Sequence, residues 1–119
     1  MAAKRDPRTL LPLTPAVFHV LMALAEDDLH GYAIMKAVAA RSSGAVRMST
    51  GTLFGIIQRL LAEGVLAECR GATAVSARDE RRRFYRLTPF GREVARAEAE
   101  RMADLVARAR ASRILPHPA

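Results

Sequence analysis

Side chains that could do covalent or metal chemistry are few and lie far apart in this sequence. His19, His30 and His117 are dispersed, and the single cysteine, Cys69, has no obvious base nearby. A catalytic nucleophile needs a base within hydrogen-bonding reach, and a zinc site needs several His or Cys ligands at short spacing. No glycine-rich phosphate loop is present. The sequence therefore predicts a protein that is not an enzyme, with no catalytic residues, no metal site and no cofactor.

Arginine is the residue type that suggests a binding chemistry. The chain has 19 Lys and Arg against 12 Asp and Glu, and 17 of the 19 are Arg, whose planar guanidinium suits phosphate oxygens and guanine edges. A GC-rich genome also favours Arg over Lys, so the number alone decides nothing. Residues 36–86, however, hold ten bases and four acids, which is +6 of the net charge of +7. Charge concentrated in one segment indicates contact with a nucleic acid.

The length and the apolar pattern bound the class of protein. A chain of 119 residues is enough for one domain with its own core, so any sensing must share the same fold. A single cysteine cannot form an internal disulfide. The longest apolar run, residues 16–25, is interrupted by His19 and is about half as long as a bilayer crossing requires. The sequence predicts a cytoplasmic protein without membrane insertion.

The first half of the chain predicts an arm, two helices and a short strand. Residues 1–13 are basic with little periodicity, and we expect a flexible N-terminal arm. Thr14 followed by Pro15 is typical of a helix N-cap and first turn, and a second helix is expected from about Tyr32 to Arg41. Residues 45–48 alternate apolar and basic side chains, which favours a single short strand.

A third helix is expected to begin at residue 49 or 50, and its two faces differ. Leu or Ile at positions 53, 57, 60 and 61 gives an inward stripe. Thr52, Gly55 and Arg59 fall at i, i+3 and i+7 on the other side, flanked by Gln58. Small and hydrogen-bonding side chains on that side predict a surface that can lie flat against a groove.

The second half predicts a hairpin and one long helix. Residues 65–69 and 82–87 are rich in β-branched and aromatic residues, and a charged stretch at 70–81 separates them. Thr88 and Pro89 form a second cap and first-turn pair, and the helix they open is expected to reach about Arg113. Asp104 and Arg108 predict an i, i+4 ion pair. We therefore divide the chain into a domain at 14–87, a dimerisation helix at 88–113 and a disordered tail at 114–119.

This order of elements predicts the fold class and the assembly. It is mainly α with a small β-hairpin, a winged helix-turn-helix followed by a C-terminal dimerisation helix. The last helix has an apolar stripe that one domain cannot cover, which favours a homodimer. The expected interface residues are Phe18, Val94, Met102, Leu105, Val106 and Ala109.

Three segments in this order resemble the PadR family of transcriptional regulators. They are HGYAI at 30–34, STGTLF at 49–54 leading into RLLAEG at 59–64, and RRFYRLTPFG at 82–91. The resemblance covers about residues 13–110. It implies a dimeric repressor whose C-terminal helix exchanges contacts with its partner, and which in many members releases DNA on binding a small aromatic or drug-like effector. The family usually has tyrosine where this chain has Phe54.

The expected interface with double-stranded DNA combines the third helix with the wing. Family members direct a tyrosine at the position of Tyr32 toward the DNA backbone, and the start of the third helix attracts phosphate through free N–H groups and the helix dipole. Capping and packing are the alternative roles of these residues. The predicted DNA-binding residues are Tyr32, Ser49, Thr50, Thr52, Gly55, Gln58, Arg59, Arg81, Arg82 and Arg83.

The functional hypothesis is a sequence-specific repressor on a pseudo-palindromic operator with half-sites about one helical turn apart. An effector between the subunits would contact Phe18, Met22, Met102 and Leu105. The alternative is a winged-helix module for protein contact without specific DNA binding. RNA binding is disfavoured because exposed aromatic pairs for base stacking are lacking.

Overall fold

The computed structural model describes residues 5–70 and 83–118 and gives a small sheet among helices. In this part of the chain the α-helices are α1 (Pro15–Glu26), α2 (Gly31–Arg41), α3 (Thr50–Ala62) and α4 (Pro89–Ala111). The strands are β1 (Leu29–His30), β2 (Leu66–Cys69) and β3 (Phe84–Leu87), and Pro7–Leu10 forms a 3-10 helix. No helix in the described ranges is long and apolar enough to cross a membrane.

Side-chain caps start the helices where the sequence places them. The Thr14 hydroxyl accepts the Val17 N–H at the start of α1, and the Thr88 hydroxyl accepts the Gly91 N–H at the start of α4. Each cap satisfies an N–H that has no partner inside the helix, and the proline that follows each cap has no N–H to satisfy. Both predicted starts are confirmed, whereas α4 ends two residues before the predicted Arg113.

The sheet has three antiparallel strands in the order β1-β3-β2. The predicted hairpin is confirmed, because β2 pairs with β3 from Leu66 opposite Leu87 to Cys69 opposite Phe84. The third strand differs from the prediction. It comes from the link between α1 and α2, where Leu29 pairs with Tyr85, and not from residues 45–48.

The segment predicted as a strand at 45–48 is a loop whose alternation has another cause. The Ser42 side chain accepts the Val46 N–H at 2.9 Å, and Gly44 has a positive φ of 80°, so the chain turns back after α2. Val46 and Met48 then pack partly buried against the core, while Ala45 and Arg47 are exposed. The alternation reflects burial of every second side chain without strand pairing.

One apolar core lies between the helices and the sheet. Its fully enclosed side chains come from every helix, with Leu21 of α1, Ile34 of α2, Ile57 of α3 and Val94 of α4 among them. Tyr85 of β3 is also buried in it. The stripe of α3 therefore faces inward as predicted, α1 and α2 also bury one side, and α4 contributes its first half to the same core.

Residues 5–13 differ from the predicted flexible arm. Leu10, Leu11 and Leu13 pack partly buried against the core, and the 3-10 helix lies along α4. The Leu13 N–H donates to the carboxylate of Glu98, which also accepts from the Arg101 guanidinium. Three leucines and one backbone hydrogen bond thus hold a segment that lacks helical periodicity, which is why the sequence pattern did not reveal it.

Glu98 is a buried acid, and each of its two carboxylate oxygens accepts a hydrogen bond. Burial raises the pKa of this carboxyl, but the hydrogen bonds from Arg101 and Leu13 and the charge of Arg101 outweigh burial and place the pKa below its ordinary value. The carboxylate is therefore ionised at neutral pH. It joins the N-terminal segment to the middle of α4.

Close packing around the Val65 carbonyl joins α4 to the end of α3. The oxygen accepts the Thr88 N–H at 3.1 Å, and the Thr88 hydroxyl, which donates to the neighbouring Gly64 carbonyl at 2.6 Å, lies 3.0 Å from it. A Cβ built on Gly91 would lie only 2.1 Å from that oxygen and 2.8 Å from Leu87 Cδ1. Backbone cannot yield like a flexible side chain, so this position requires glycine.

We expect Gly91→Ala to lower the free energy of unfolding by about 3 kcal/mol or more, because the new methyl overlaps a carbonyl oxygen that is itself held by Thr88. Urea unfolding followed by far-UV circular dichroism measures this change. Gly55→Ala is the matched control, since a Cβ on Gly55 meets nothing within 4 Å. It should raise stability by about 1 kcal/mol through helix propensity. Equal effects of the two substitutions would contradict the packing argument.

We expect Glu98→Gln to destabilise the fold by about 1–3 kcal/mol at pH 7. The glutamine side chain is neutral, so it cannot form the ion pair that the Glu98 carboxylate makes with Arg101. A carboxyl whose folded pKa is lowered stabilises the fold above its unfolded pKa, and that contribution is lost as pH falls through the lower folded pKa. Unfolding free energies measured between pH 3 and 7 should therefore fall less steeply in acid for Glu98→Gln than for the unaltered protein. Glu100→Gln, which alters an exposed acid paired with Arg96, should leave the profile unchanged.

Candidate nucleic-acid interface

Helix α3 has one face in the core and one face open to solvent. Leu53, Ile57 and Leu60 are buried. The opposite face carries small or hydrogen-bonding residues that are all exposed, and all of them except Gly51 are predicted from the sequence. They are Gly51, Thr52, Gly55, Gln58 and Arg59.

Two glycines make this face flat. A Cβ built on Gly51 or on Gly55 would meet nothing within 4 Å, so neither is required by packing inside the chain. Gly55, in the helix interior, costs about 1 kcal/mol relative to Ala, and Gly51, in the first turn, costs less. The sequence analysis identified Gly55 but missed Gly51, although its spacing of four residues from Gly55 places both on one side of the helix.

The start of α3 presents hydroxyl groups and a helix N-terminus. The Ser49 hydroxyl oxygen accepts the Thr52 N–H at 3.1 Å and donates to the Thr52 hydroxyl at 3.0 Å. Thr50 is exposed in the first turn. Ser49 therefore is the cap, and Thr50 and Thr52 stand at the end of the helix where its dipole is positive.

The start of α2 lies beside this end of α3. Tyr32 is 61% exposed, and the Lys36 ammonium lies 5.5 Å from the centre of its ring. Phe54 packs over the start of α2, since a Cβ on Gly31 would lie 3.3 Å from the end of the Phe54 ring. Phe54 is still 43% exposed, so it has a packing role and an accessible edge. The exposed ring and ammonium of α2 thus continue the surface of α3.

Arg59 is exposed but has a partner in its own helix. Its Nε lies 3.3 Å from Oε1 of Glu63, four residues on. Glu63 is also approached by Arg5, whose Nη1 donates to the Glu63 carbonyl at 2.8 Å and whose Nη2 lies 3.9 Å from Oε2. Sequence reasoning named Arg59 and missed Glu63, which the i, i+4 spacing could have revealed.

The wing is the hairpin of β2 and β3, and the structure describes it only at its base. Arg83 is exposed beside β3 and lies 3.6 Å from the Glu68 carboxylate of β2. Such an exposed pair contributes little to stability, and Arg83 keeps most of its surface. Arg81 and Arg82, predicted to contact DNA, lie outside the described residues.

The described residues offer little for catalysis or metal binding. Burial, assisted by the charge and hydrogen bond of Asp28, raises the pKa of the Cys69 thiol, so the thiolate nucleophile is disfavoured. No group of three or more His, Cys, Asp or Glu side chains in the described ranges could hold a metal ion. The exposed face of α3 remains the main candidate site.

The second half of α4 leaves apolar side chains uncovered. Leu105 is 51% exposed and Val106 is 40% exposed, while Met102 and Ala109 are half-buried. Val94, which the sequence analysis assigned to a dimer interface, is fully enclosed in the chain's own core and cannot reach a partner. That prediction is wrong because the first half of α4 packs against α1 and the sheet. The predicted ion pair of Asp104 and Arg108 is confirmed at 3.0 Å.

Comparison with known proteins identifies the family. The profile of the transcriptional regulator PadR-like family matches residues 20–97. A curated relative, an uncharacterised 37.1 kDa protein of a transposon from Streptomyces fradiae, is 40% identical over 91 residues. The match covers 75% of this chain and 23% of the relative, so the chain spans less than a quarter of that relative's length.

Solved structures share the fold. A PadR family transcription regulator from Clostridium difficile superimposes with a TM-score of 0.66 at 17% identity, over 86% of this chain and 100% of that one. A transcriptional regulator from Clostridium thermocellum gives a TM-score of 0.64 at 24% identity, over 79% of this chain and 84% of that one. With a family profile that extends from the middle of α1 through the first half of α4, these findings show that the chain belongs to the PadR-like family of transcriptional regulators and has its winged-helix fold.

Proposed function

We propose that the chain is a homodimeric repressor that binds duplex DNA sequence-specifically in the cytoplasm. The observation that carries the proposal is the open face of α3, where a Cβ built on either glycine would meet nothing within 4 Å, while the other face is buried in the core. A helix of this kind can enter the major groove, where Gln58 and Arg59 can hydrogen-bond to base edges. No reaction chemistry enters this proposal.

Contacts with the DNA backbone would surround that helix. Tyr32 of α2 and the exposed hydroxyls of Thr50 and Thr52 lie at the start of α3, where N–H groups and the helix dipole favour phosphate. Ser49 contributes by capping the helix. The wing arginines, among them Arg83 at its base, would bind the backbone on the other side of the helix.

The uncovered apolar part of α4 supports the homodimer. Leu105, Val106, Ile114 and Leu115 are all exposed on or just after this helix. A twofold interface built on this region would cover them and present two α3 helices to half-sites about one helical turn apart. Met102, Ala109 and the half-buried Phe18 would belong to the same interface.

An effector between the subunits forms part of the proposal through the family resemblance. Phe18, Met22 and Met102 are half-buried in the single chain, and Leu105 is exposed. A small aromatic or drug-like molecule seated among them would change how the subunits meet. Release of DNA would then follow from a change in the spacing of the two α3 helices.

A mobility-shift assay on the DNA upstream of the protein's own gene tests the main proposal. If the dimer neutralises six to ten phosphates, affinity should fall by roughly 10³- to 10⁵-fold between 50 and 200 mM salt. Gly55→Leu should weaken the complex at least about tenfold, because a bulky side chain would hold α3 away from the base pairs, while the free protein becomes slightly more stable. Gly55→Ala should also stabilise the helix, but its methyl group is small, so this variant should keep most of the affinity for DNA.

Weak retention that is insensitive to salt and equal in both Gly55 variants would contradict DNA recognition by α3. That result would favour the alternative, a winged-helix module that contacts another protein. RNA of the same sequence serves as the competitor in this assay, and duplex DNA should be preferred.

The dimer is tested by Leu105→Asp, which places a charge on the uncovered apolar face. We expect at least about a hundredfold increase in the dimer dissociation constant by analytical ultracentrifugation, since burying an unpaired carboxylate is costly. Ala107→Asp, on an exposed position two residues along the same helix and so on its opposite side, is the control and should leave the association unchanged. A monomeric starting protein, or equal behaviour of both variants, would refute the proposed interface.

A further inference from the structure

A cavity of about 330 Å³ lies where the N-terminal segment crosses the end of α3. Leu10 and Leu13 of the segment line one side, and Leu60 of α3 and Val94 of α4 line the other. Leu60 and Val94 are almost completely buried, whereas Arg59 and Glu63, which also line the cavity, are partly exposed. The cavity therefore has an aliphatic interior and a charged mouth.

The charges around Glu63, at the mouth, are unequal, because Arg5 approaches this carboxylate from outside the cavity lining. Two guanidinium groups, from Arg59 and Arg5, approach the single carboxylate of Glu63 at 3.3 Å and 3.9 Å. The three groups together carry a net charge of +1. An anion that enters the mouth would balance that charge, and a guanidinium pairs best with a carboxylate or phosphate, to which it can donate two parallel hydrogen bonds.

The residues that line the cavity also determine which type of apolar group the ligand can have. The described lining consists of Leu, Val, Pro and Thr side chains besides the charged pair, with no aromatic ring among them. The lining therefore has no ring that could stack on a planar ligand. The cavity volume is at the low end of the range for cavities that hold small molecules. A short, flexible aliphatic chain fits such walls.

We propose that this cavity binds an aliphatic monocarboxylate, with its chain among the leucines and its carboxylate on Arg59. Glu63 competes with the ligand for the Arg59 guanidinium. The site is separate from the interface among Phe18, Met22, Met102 and Leu105, because none of these residues lines it.

This site would regulate DNA binding, a step that rests on the proposed function. Arg59 stands on the open face of α3, so a carboxylate paired with it would remove a cation from the surface that meets DNA. Two ligands that compete for one group weaken each other's binding by the same factor. DNA and the carboxylate should therefore exclude each other.

Isothermal titration of the full chain with octanoate at pH 7, without DNA, tests the site. We expect one octanoate per chain, and hexanoate should bind about 15-fold more weakly, because each buried methylene contributes about fourfold in affinity. Octan-1-ol, which has the same chain and no charge, should bind far more weakly than octanoate.

Three variants distinguish octanoate binding at this specific site from nonspecific hydrophobic binding. Arg59→Gln should weaken octanoate at least about tenfold, and Glu63→Gln should strengthen it several-fold because the competing carboxylate is gone. Arg96→Gln is the matched control, since Arg96 forms the same i, i+4 pair with Glu100 at 3.1 Å away from the cavity. A merely structural role of the Arg59 pair would make the first two variants change in the same direction.

Equal octanoate binding by Arg59→Gln and Arg96→Gln, or no binding at all, would overturn the site. The titration contains no DNA, so it decides the site even if the mobility shift fails. Where DNA is bound, octanoate should lower its affinity in the unaltered protein and leave it unchanged in Arg59→Gln. Octanoate that binds through Arg59 without affecting DNA would overturn the regulatory link alone.

Discussion

The carbonyl group of Val65 is the junction on which the arrangement of the helices depends. Its oxygen accepts the N–H of Thr88, whose hydroxyl donates to the adjacent Gly64 carbonyl, while the Val65 N–H donates to the Leu60 carbonyl at the end of α3 at 2.9 Å. Because Gly91 has no Cβ, the first turn of α4 can lie directly against this peptide. The N–H and the carbonyl of one residue, Val65, thus connect the end of α3 to the start of α4, and they fix the direction in which α3 presents its open face.

The composition of α3 is a compromise between helix stability and a flat surface. Gly55 costs about 1 kcal/mol in helix propensity, and Gly51 in the first turn adds a smaller cost. Leu53, Ile57 and Leu60 each contribute about 1.5–3 kcal/mol through burial, and the Ser49 cap adds about 1 kcal/mol. Burial on one side therefore outweighs the glycines on the other. A helix built only for stability would have alanines at these two exposed positions, so the glycines point to a demand from outside the chain.

Local patterns in the sequence predict local structure well. The Thr14 and Thr88 caps, the inward stripe of α3 and the two strands of the hairpin each depend on a pattern of neighbouring residues, and all are confirmed. Strand β1 was missed because its two residues form a strand only by pairing with β3, more than fifty residues away. The same reason explains the N-terminal segment, whose leucines have no period of their own but pack on a distant core. The open face of α3 was predicted, whereas the Arg5 contact with Glu63 spans 58 residues and had no signal.

The contacts that the sequence hides are the ones that fix α4. Gly91 packs against the Val65 carbonyl, and Glu98 accepts the Leu13 N–H. Gly91 and Glu98 are seven residues apart in α4, which is about 10 Å along the helix axis. A helix attached at one point can pivot, but a helix attached at two points two turns apart cannot do so without breaking one of them. In a dimer joined through the far half of α4, the separation of the two α3 helices would then follow from the rigid direction of α4. The N-terminal segment provides the second attachment and also contacts Glu63 at the end of α3, so it belongs to the framework that positions α3.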